Sequence, residues 1–178
     1  LNSNNDVFVL GKDGAVNAGA YSVWKNGTKA FDINDNNAEV SRLFAKGNDV
    51  YVCGETIVSG PPVAALWKNG VLQTLNGNTQ ALAVFVADNN DVYIGLADGK
   101  LLKNNVVQTT LRSSLNNAAT YIRDIVGSGS DVYVLGYCAA GNETIIWKNG
   151  VQLYKPSSPV ATYNILGLQS LFVIGSDV

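Results

Sequence analysis

The chain has 178 residues, enough for one domain with a sizeable core, and its 47% hydrophobic share fits a globular protein rather than a disordered one. Twelve Lys and Arg against fourteen Asp and Glu leave a net charge of −2, and the sequence pI is near 4.9, so no surface for nucleic acid or anionic membranes is expected. The absence of His removes His-based triads and His metal ligands, and no apolar run approaches the roughly 18 residues of a membrane span.

The chain opens on the polar stretch Leu1-Asn2-Ser3-Asn4-Asn5 with no signal-peptide pattern. It contains no Met, so a processed chain or a fragment is expected. The first element is Asp6-Val7-Phe8-Val9, a short run of β-branched and aromatic residues that reads as a strand. The run recurs as Asp49-Val50-Tyr51-Val52, Asp91-Val92-Tyr93-Ile94 and Asp131-Val132-Tyr133-Val134, at offsets of 43, 42 and 40 residues, with a weaker fifth copy at Ser170-Leu171-Phe172-Val173. A second marker, Trp-Lys-Asn-Gly, keeps step with it at Trp24 to Gly27, Trp67 to Gly70 and Trp147 to Gly150. Leu102-Lys103-Asn104-Asn105 is a decayed copy that puts the regularity of the third repeat in question.

Within each repeat the marker strand leads through a Gly-rich loop to a strand ending in Trp. Asn-Gly then signals a type I′ hairpin, because both central residues must take positive φ. A third strand such as Val71 to Leu75 follows, then a polar loop, then a small-residue apolar strand such as Ala81 to Val86 that turns back into the next marker. No segment carries a helical period. Four antiparallel strands repeated every forty-odd residues predict an all-β fold, a β-propeller of four-stranded blades with about four blades in the chain. The expected domain is a single array over 1–178, with repeats starting near 6, 49, 91 and 131, a partial fifth near 170, and a larger propeller left open as the parent. The strand before each marker would be innermost. Ala161 to Leu168 could supply the one missing from the first blade, or another chain could complete the ring.

These blades resemble the bacterial propeller repeats that read Asp-Val-Tyr-Val-x-Gly followed by Leu-Trp-Lys-Asn-Gly, and are similar in strand logic to the YVTN and NHL groups of propellers. The resemblance spans Asp6 to about Gly175 and implies a fold and a secreted, periplasmic or cell-surface setting, without implying an activity.

Several residues stand out from the repeat. Arg42 and Asp124 place charge on two innermost strands where the third copy has Val84, and Arg123 adds to it; a buried or rim ion pair is the plainer alternative. Glu55, Tyr137 and the pair Pro61-Pro62 lie on variable loops, where recognition is usually placed. Asp32, Asn34 and Asn36 put oxygen ligands at alternate positions, like the first half of a Ca²⁺ loop, but Asn37 stands where the loop needs Gly and Leu43 where it needs Glu. No other cofactor is indicated.

Asp6, Asp49, Asp91 and Asp131 repeat at one place and are expected to be turn residues bonding nearby backbone amides; Lys25, Lys68, Lys103 and Lys148 are expected to be solvated turn positions. Cys53 and Cys138 sit at different places in their repeats and are expected to be free and buried. These features favour a non-catalytic binding or scaffold module for a protein or glycan. The alternatives are a carbohydrate-active enzyme using Asp32, Glu39 and Asp124 in one cleft, or a structural segment that self-associates through open blade ends.

Overall fold

β-Branched and aromatic residues at the four marker copies form the strands their side chains favour. The computed structural model, which describes residues 5–12, 20–57, 60–154 and 170–172, is all-β. Its strands are β1 (Phe8–Lys12), β2 (Tyr21–Lys25), β3 (Thr28–Ile33), β4 (Glu39–Lys46), β5 (Asp49–Thr56), β6 (Val63–Lys68), β7 (Val71–Thr74) and β8 (Ala81–Val86). They continue with β9 (Val92–Leu96), β10 (Lys100–Lys103), β11 (Val106–Thr110), β12 (Tyr121–Ser128), β13 (Asp131–Cys138), β14 (Glu143–Lys148) and β15 (Val151–Tyr154). Among the described residues the one helical element is a 3-10 turn at Ala139–Gly141, and no helix is long and apolar enough to cross a membrane.

Four sheets result, in the blade order the repeat predicts. Three have four strands, β4-β5-β6-β7, β8-β9-β10-β11 and β12-β13-β14-β15, and β1-β2-β3 has three among the described residues. In the four-stranded sheets the strand before the marker lies at one edge and the strand after the Asn-Gly turn at the other. Consecutive strands pair antiparallel, as in Tyr51↔Lys68 and Tyr133↔Lys148.

The hairpins show why the repeat keeps Asn-Gly. Asn26, Asn69 and Asn149 have φ of 50 to 51°, and Gly27, Gly70 and Gly150 have φ of 81°, the left-handed pair that a type I′ turn needs. In the third copy Asn104 and Asn105 take φ of 49° and 64°, which Asn tolerates better than other side chains, so the turn survives the loss of Gly. Leu102 fills the Trp position at 0% exposure. The third blade is therefore regular.

The chain divides into two units, Leu1–Ala81 and Leu82–Val178. In the first, Val23 and Ile33 of one sheet share a core with Val50, Val52 and Trp67 of the next. In the second, Ala83, Leu101 and Leu111 meet Ile122, Val134 and Trp147. Each unit thus buries one blade face against another, which a lone twisted sheet cannot do. Hydroxyl-to-carboxylate bonds add a latch in each unit: Thr56 Oγ1 donates to Asp35 Oδ2 at 2.5 Å in the first, and Ser113 Oγ donates to the buried Glu143 carboxylate in the second. Cys53 and Cys138 are free and buried, and burial pushes the Cys53 thiol up to about 12. The segment Ala161 to Leu168 lies outside the described residues.

Gly95 sets how closely two blades of the second unit approach. A Cβ there would lie 2.2 Å from Ile122 Cγ2 and 2.7 Å from Ile122 Cβ. Replacing Gly95 with Ala is expected to lower stability by about 1–3 kcal/mol through overpacking. Urea unfolding checks this, and an unchanged midpoint would show that the blades do not pack at this distance.

Candidate functional site

The repeated Asp residues are the natural starting point for any site, and the structure gives each of them the same partners. Asn26, Asn69, Asn104 and Asn149 donate through Nδ2 to Oδ1 of Asp6, Asp49, Asp91 and Asp131 at 2.7 to 2.9 Å. The same four Asn accept through Oδ1 the backbone N–H that follows each Asp, from Val7, Val50, Val92 and Val132, at 2.8 to 2.9 Å. Each Asn N–H returns to the carbonyl of the same Val at 2.8 to 2.9 Å. The Lys before each Asn reaches the second carboxylate oxygen at 2.7 to 2.9 Å and hangs over the marker aromatic ring, 5.3 to 5.7 Å from its centroid.

This corrects two sequence expectations. The marker Asp ties down the Asn amide and the Lys ammonium of the neighbouring hairpin, while the Asn takes the backbone amide. The four Lys are ion-paired clasp members rather than plain solvated positions. The Lys103 ammonium, then the Asn104 amide, hold Asp91 down at about 2. Lys68 and Lys148 likewise hold Asp49 and Asp131 below the ordinary carboxylate value, and Lys68, Lys103 and Lys148 are raised in return.

The residues singled out by sequence fall in both units. In the first unit Arg42 stands opposite Cys53, just past a register shift between Val40 and Arg42, and Glu55 stands opposite Glu39. Glu55 on β5 and Tyr137 on β13 are thus strand residues, not the loop residues expected, because the marker strands run on past their Gly. Glu39 accepts the Tyr21 hydroxyl at 2.5 Å, and that bond pushes Tyr21 up to about 12. Asp32 accepts the Ser22 hydroxyl at 2.6 Å and pairs with Lys29 at 2.6 Å, which lowers its pKa. Asn34 and Asn36 are exposed on the loop beyond it. A Ca²⁺ ion on this loop would have to compete with Lys29 for Asp32. Among the described residues, no three Asp, Glu or Cys side chains cluster as metal ligands.

In the second unit the matching register shift on β12 falls between Ile122 and Asp124, with Arg123 inside it. Asp124 Oδ1 accepts the Ile125 N–H at 3.0 Å and Oδ2 the Leu171 N–H at 2.8 Å, so its carboxylate binds backbone amides and holds the first residues of the fifth marker. The Arg123 guanidinium lies 5.7 Å from the Tyr121 ring, and Tyr121 stands across from Tyr137, whose hydroxyl donates to Asn142 Oδ1 at 3.1 Å. The structure thus gathers Arg123 and Tyr137 around one end of the β12–β13 pair. Pro61 and Pro62 are exposed in the β5–β6 loop.

Sequence reasoning missed a groove of about 420 Å³ in the second unit, between the β8–β11 and β12–β15 sheets, floored by Leu101 and Val132 and rimmed by Gln108, Thr109 and Ser130. The available signal was the residue four past the hairpin, Phe31 in the first repeat and Thr109 in the third.

No family model matches the chain, and no curated protein matches it. Among solved structures it is similar to the computationally designed Ika8 protein, with a TM-score of 0.52 and 18% identity over 87% of this chain. The chain spans 47% of that structure's length, and at this identity the likeness bears on fold alone.

Stability should follow the clasp carboxylates as pH falls. The folded pKa values of Asp49, Asp91 and Asp131 are depressed, so their contribution is complete above the ordinary value of 3.8 and is lost as pH falls below it, for Asp91 toward about 2. The urea midpoint is expected to decline across that window and Asp91→Asn to shrink the decline; a midpoint flat down to pH 2 would contradict the clasp.

Proposed function

We propose that this chain is a non-catalytic binding module of the β-propeller type, belonging to a secreted or cell-surface protein and holding a glycan or protein ligand. One observation carries the reading: the three carboxylates that the sequence nominates for a hydrolase are already structural acceptors. Asp32 serves Ser22 and Lys29, Glu39 serves Tyr21, and Asp124 serves two backbone amides. Asp32 is also held low, the wrong direction for a general acid at neutral pH. The resemblance of the markers to bacterial repeats of the Asp-Val-Tyr-Val type supports the setting. The reading invokes no cofactor, no nucleic acid and no membrane span.

The test sets retention against turnover. Incubated with immobilised cellulose, chitin and mannan and with chromogenic glycosides, the chain is expected to be retained reversibly on at least one polymer and to release no chromophore. Chromophore release that disappears in Asp32→Asn, Glu39→Gln or Asp124→Asn would replace this reading with the enzyme.

A specific observation also favours self-association. The β1 edge carries no fourth strand among the described residues, and Val9 of β1 and Val7 just before it are 54% and 49% exposed. The matching Val50, Val52, Val132 and Val134 are at most 8% exposed. Exposed apolar side chains along an edge strand favour pairing with another strand, so light scattering is expected to show a mass that rises with concentration, and less so in Val9→Lys. One-chain mass at every concentration would contradict it.

A further inference from the structure

In both units the Asn-Gly hairpin of the second blade comes up against the last strand of the first blade. In the first unit that meeting is closed. A Cβ on Gly70 would lie 3.1 Å from Phe31 Cδ2 and 3.1 Å from the Asp32 carbonyl oxygen. In the second unit the matching Cβ on Gly150 would find only Thr109 Cγ2, at 3.7 Å. Phe31 and Thr109 hold the same place, each four residues beyond its own hairpin's second turn residue, Gly27 or Asn105. Where the first unit has a phenyl ring the second has a hydroxyl and a methyl, the facing backbone is no longer within 4 Å of the turn Cβ, and a groove of about 420 Å³ lies there.

The lining states what fits there. Leu101 and Val132, 5% and 8% exposed, make an apolar floor, and Tyr93 adds an aromatic wall. Thr109, Ser130 and Gln108 bring two hydroxyls and a carboxamide to the rim. The Lys103 ammonium at the groove is already 2.7 Å from Asp91 and lies over the Tyr93 ring, and the Asn149 side chain is engaged by Asp131 and Val132. The charge at the groove is therefore compensated within the protein, and an ionic ligand would have to break a clasp to bind. An apolar floor under neutral hydroxyl and amide groups suits a sugar ring, whose C–H face packs while its hydroxyls bond at the rim. The volume falls in the range of small-molecule sites, about 300–1,000 Å³.

Resting on the binding-module reading above, we propose that this inter-blade groove is a binding site for a short neutral saccharide, opened by Thr109 where the equivalent first-unit position is filled by Phe31. Thr109→Phe places in the groove the side chain that fills the matching first-unit position.

The purified chain is titrated with cellobiose, maltose, lactose, chitobiose and mannobiose by calorimetry. At least one is expected to bind saturably. Thr109→Phe is expected to abolish that binding while the melting temperature stays within about 4 °C, and Ser130→Ala and Gln108→Ala each to weaken it about two- to tenfold. The two rim substitutions are on exposed side chains and keep the test decisive if Thr109→Phe fails to fold. No binding by any of the five disaccharides overturns the proposal. So does unchanged affinity in Thr109→Phe, or in both rim variants; saccharide binding would then leave the module reading standing with its site elsewhere. Turnover of a chromogenic glycoside would instead sink that reading itself.

Discussion

A carboxylate, a carboxamide and an ammonium hold each blade together. The Asp at the start of the marker strand and the Lys-Asn pair of the hairpin lie 12 to 20 residues apart in sequence, yet in all four blades they meet through the same bonds. The Asn is central. Its left-handed backbone makes the turn, its amide donates to the Asp, and its carbonyl oxygen takes the N–H that would otherwise face no strand. An exposed ion pair alone contributes little. Here the pair is tied to a directional amide bridge that ends one hairpin and begins the neighbouring strand at a fixed register, so the charge secures geometry that the hydrogen bonds define.

That constraint explains how the blades tolerate change. The third repeat has lost its Trp and its turn Gly, yet Lys103 and Asn104 keep their contacts with Asp91, Asn105 supplies the second positive φ, and Leu102 is fully buried. Each two-blade unit then fills its interior with side chains from facing sheets. Positions 31 and 109 differ within that frame: Phe31 packs against the core of the first unit, whereas Thr109 borders the groove of the second. A repeat protein gains individuality at such places.

The architecture was legible because its signals are local. Alternating β-branched and aromatic residues mark strands, and Asn-Gly marks hairpins; Ala81 to Val86 and Val71 to Thr74 lie where the repeat puts them. The clasp was not legible, because nothing in a single repeat says whether an Asp will meet backbone amides or a side chain some twenty residues on. The same holds for Arg42 and Asp124. Sequence marked them as charges on apolar strands, but their place beside a register shift, and the capture of two amides by Asp124, depend on pairing that only the folded chain defines. The groove could have been found by aligning the repeats and asking where a large side chain became small. Its depth depends on the blades on either side.

Asn149→Gly isolates the clasp most directly, since Gly keeps the positive φ of the turn and deletes only the side chain. Removing it leaves the Val132 N–H, on an 8% exposed residue, and one Asp131 oxygen without the bonds they now make. Urea unfolding at neutral pH is expected to show a loss of about 1–3 kcal/mol, the cost of stranding the part-buried Val132 N–H. Stability equal to wild type would show that the turn conformation alone sustains the blade and that the clasp is incidental.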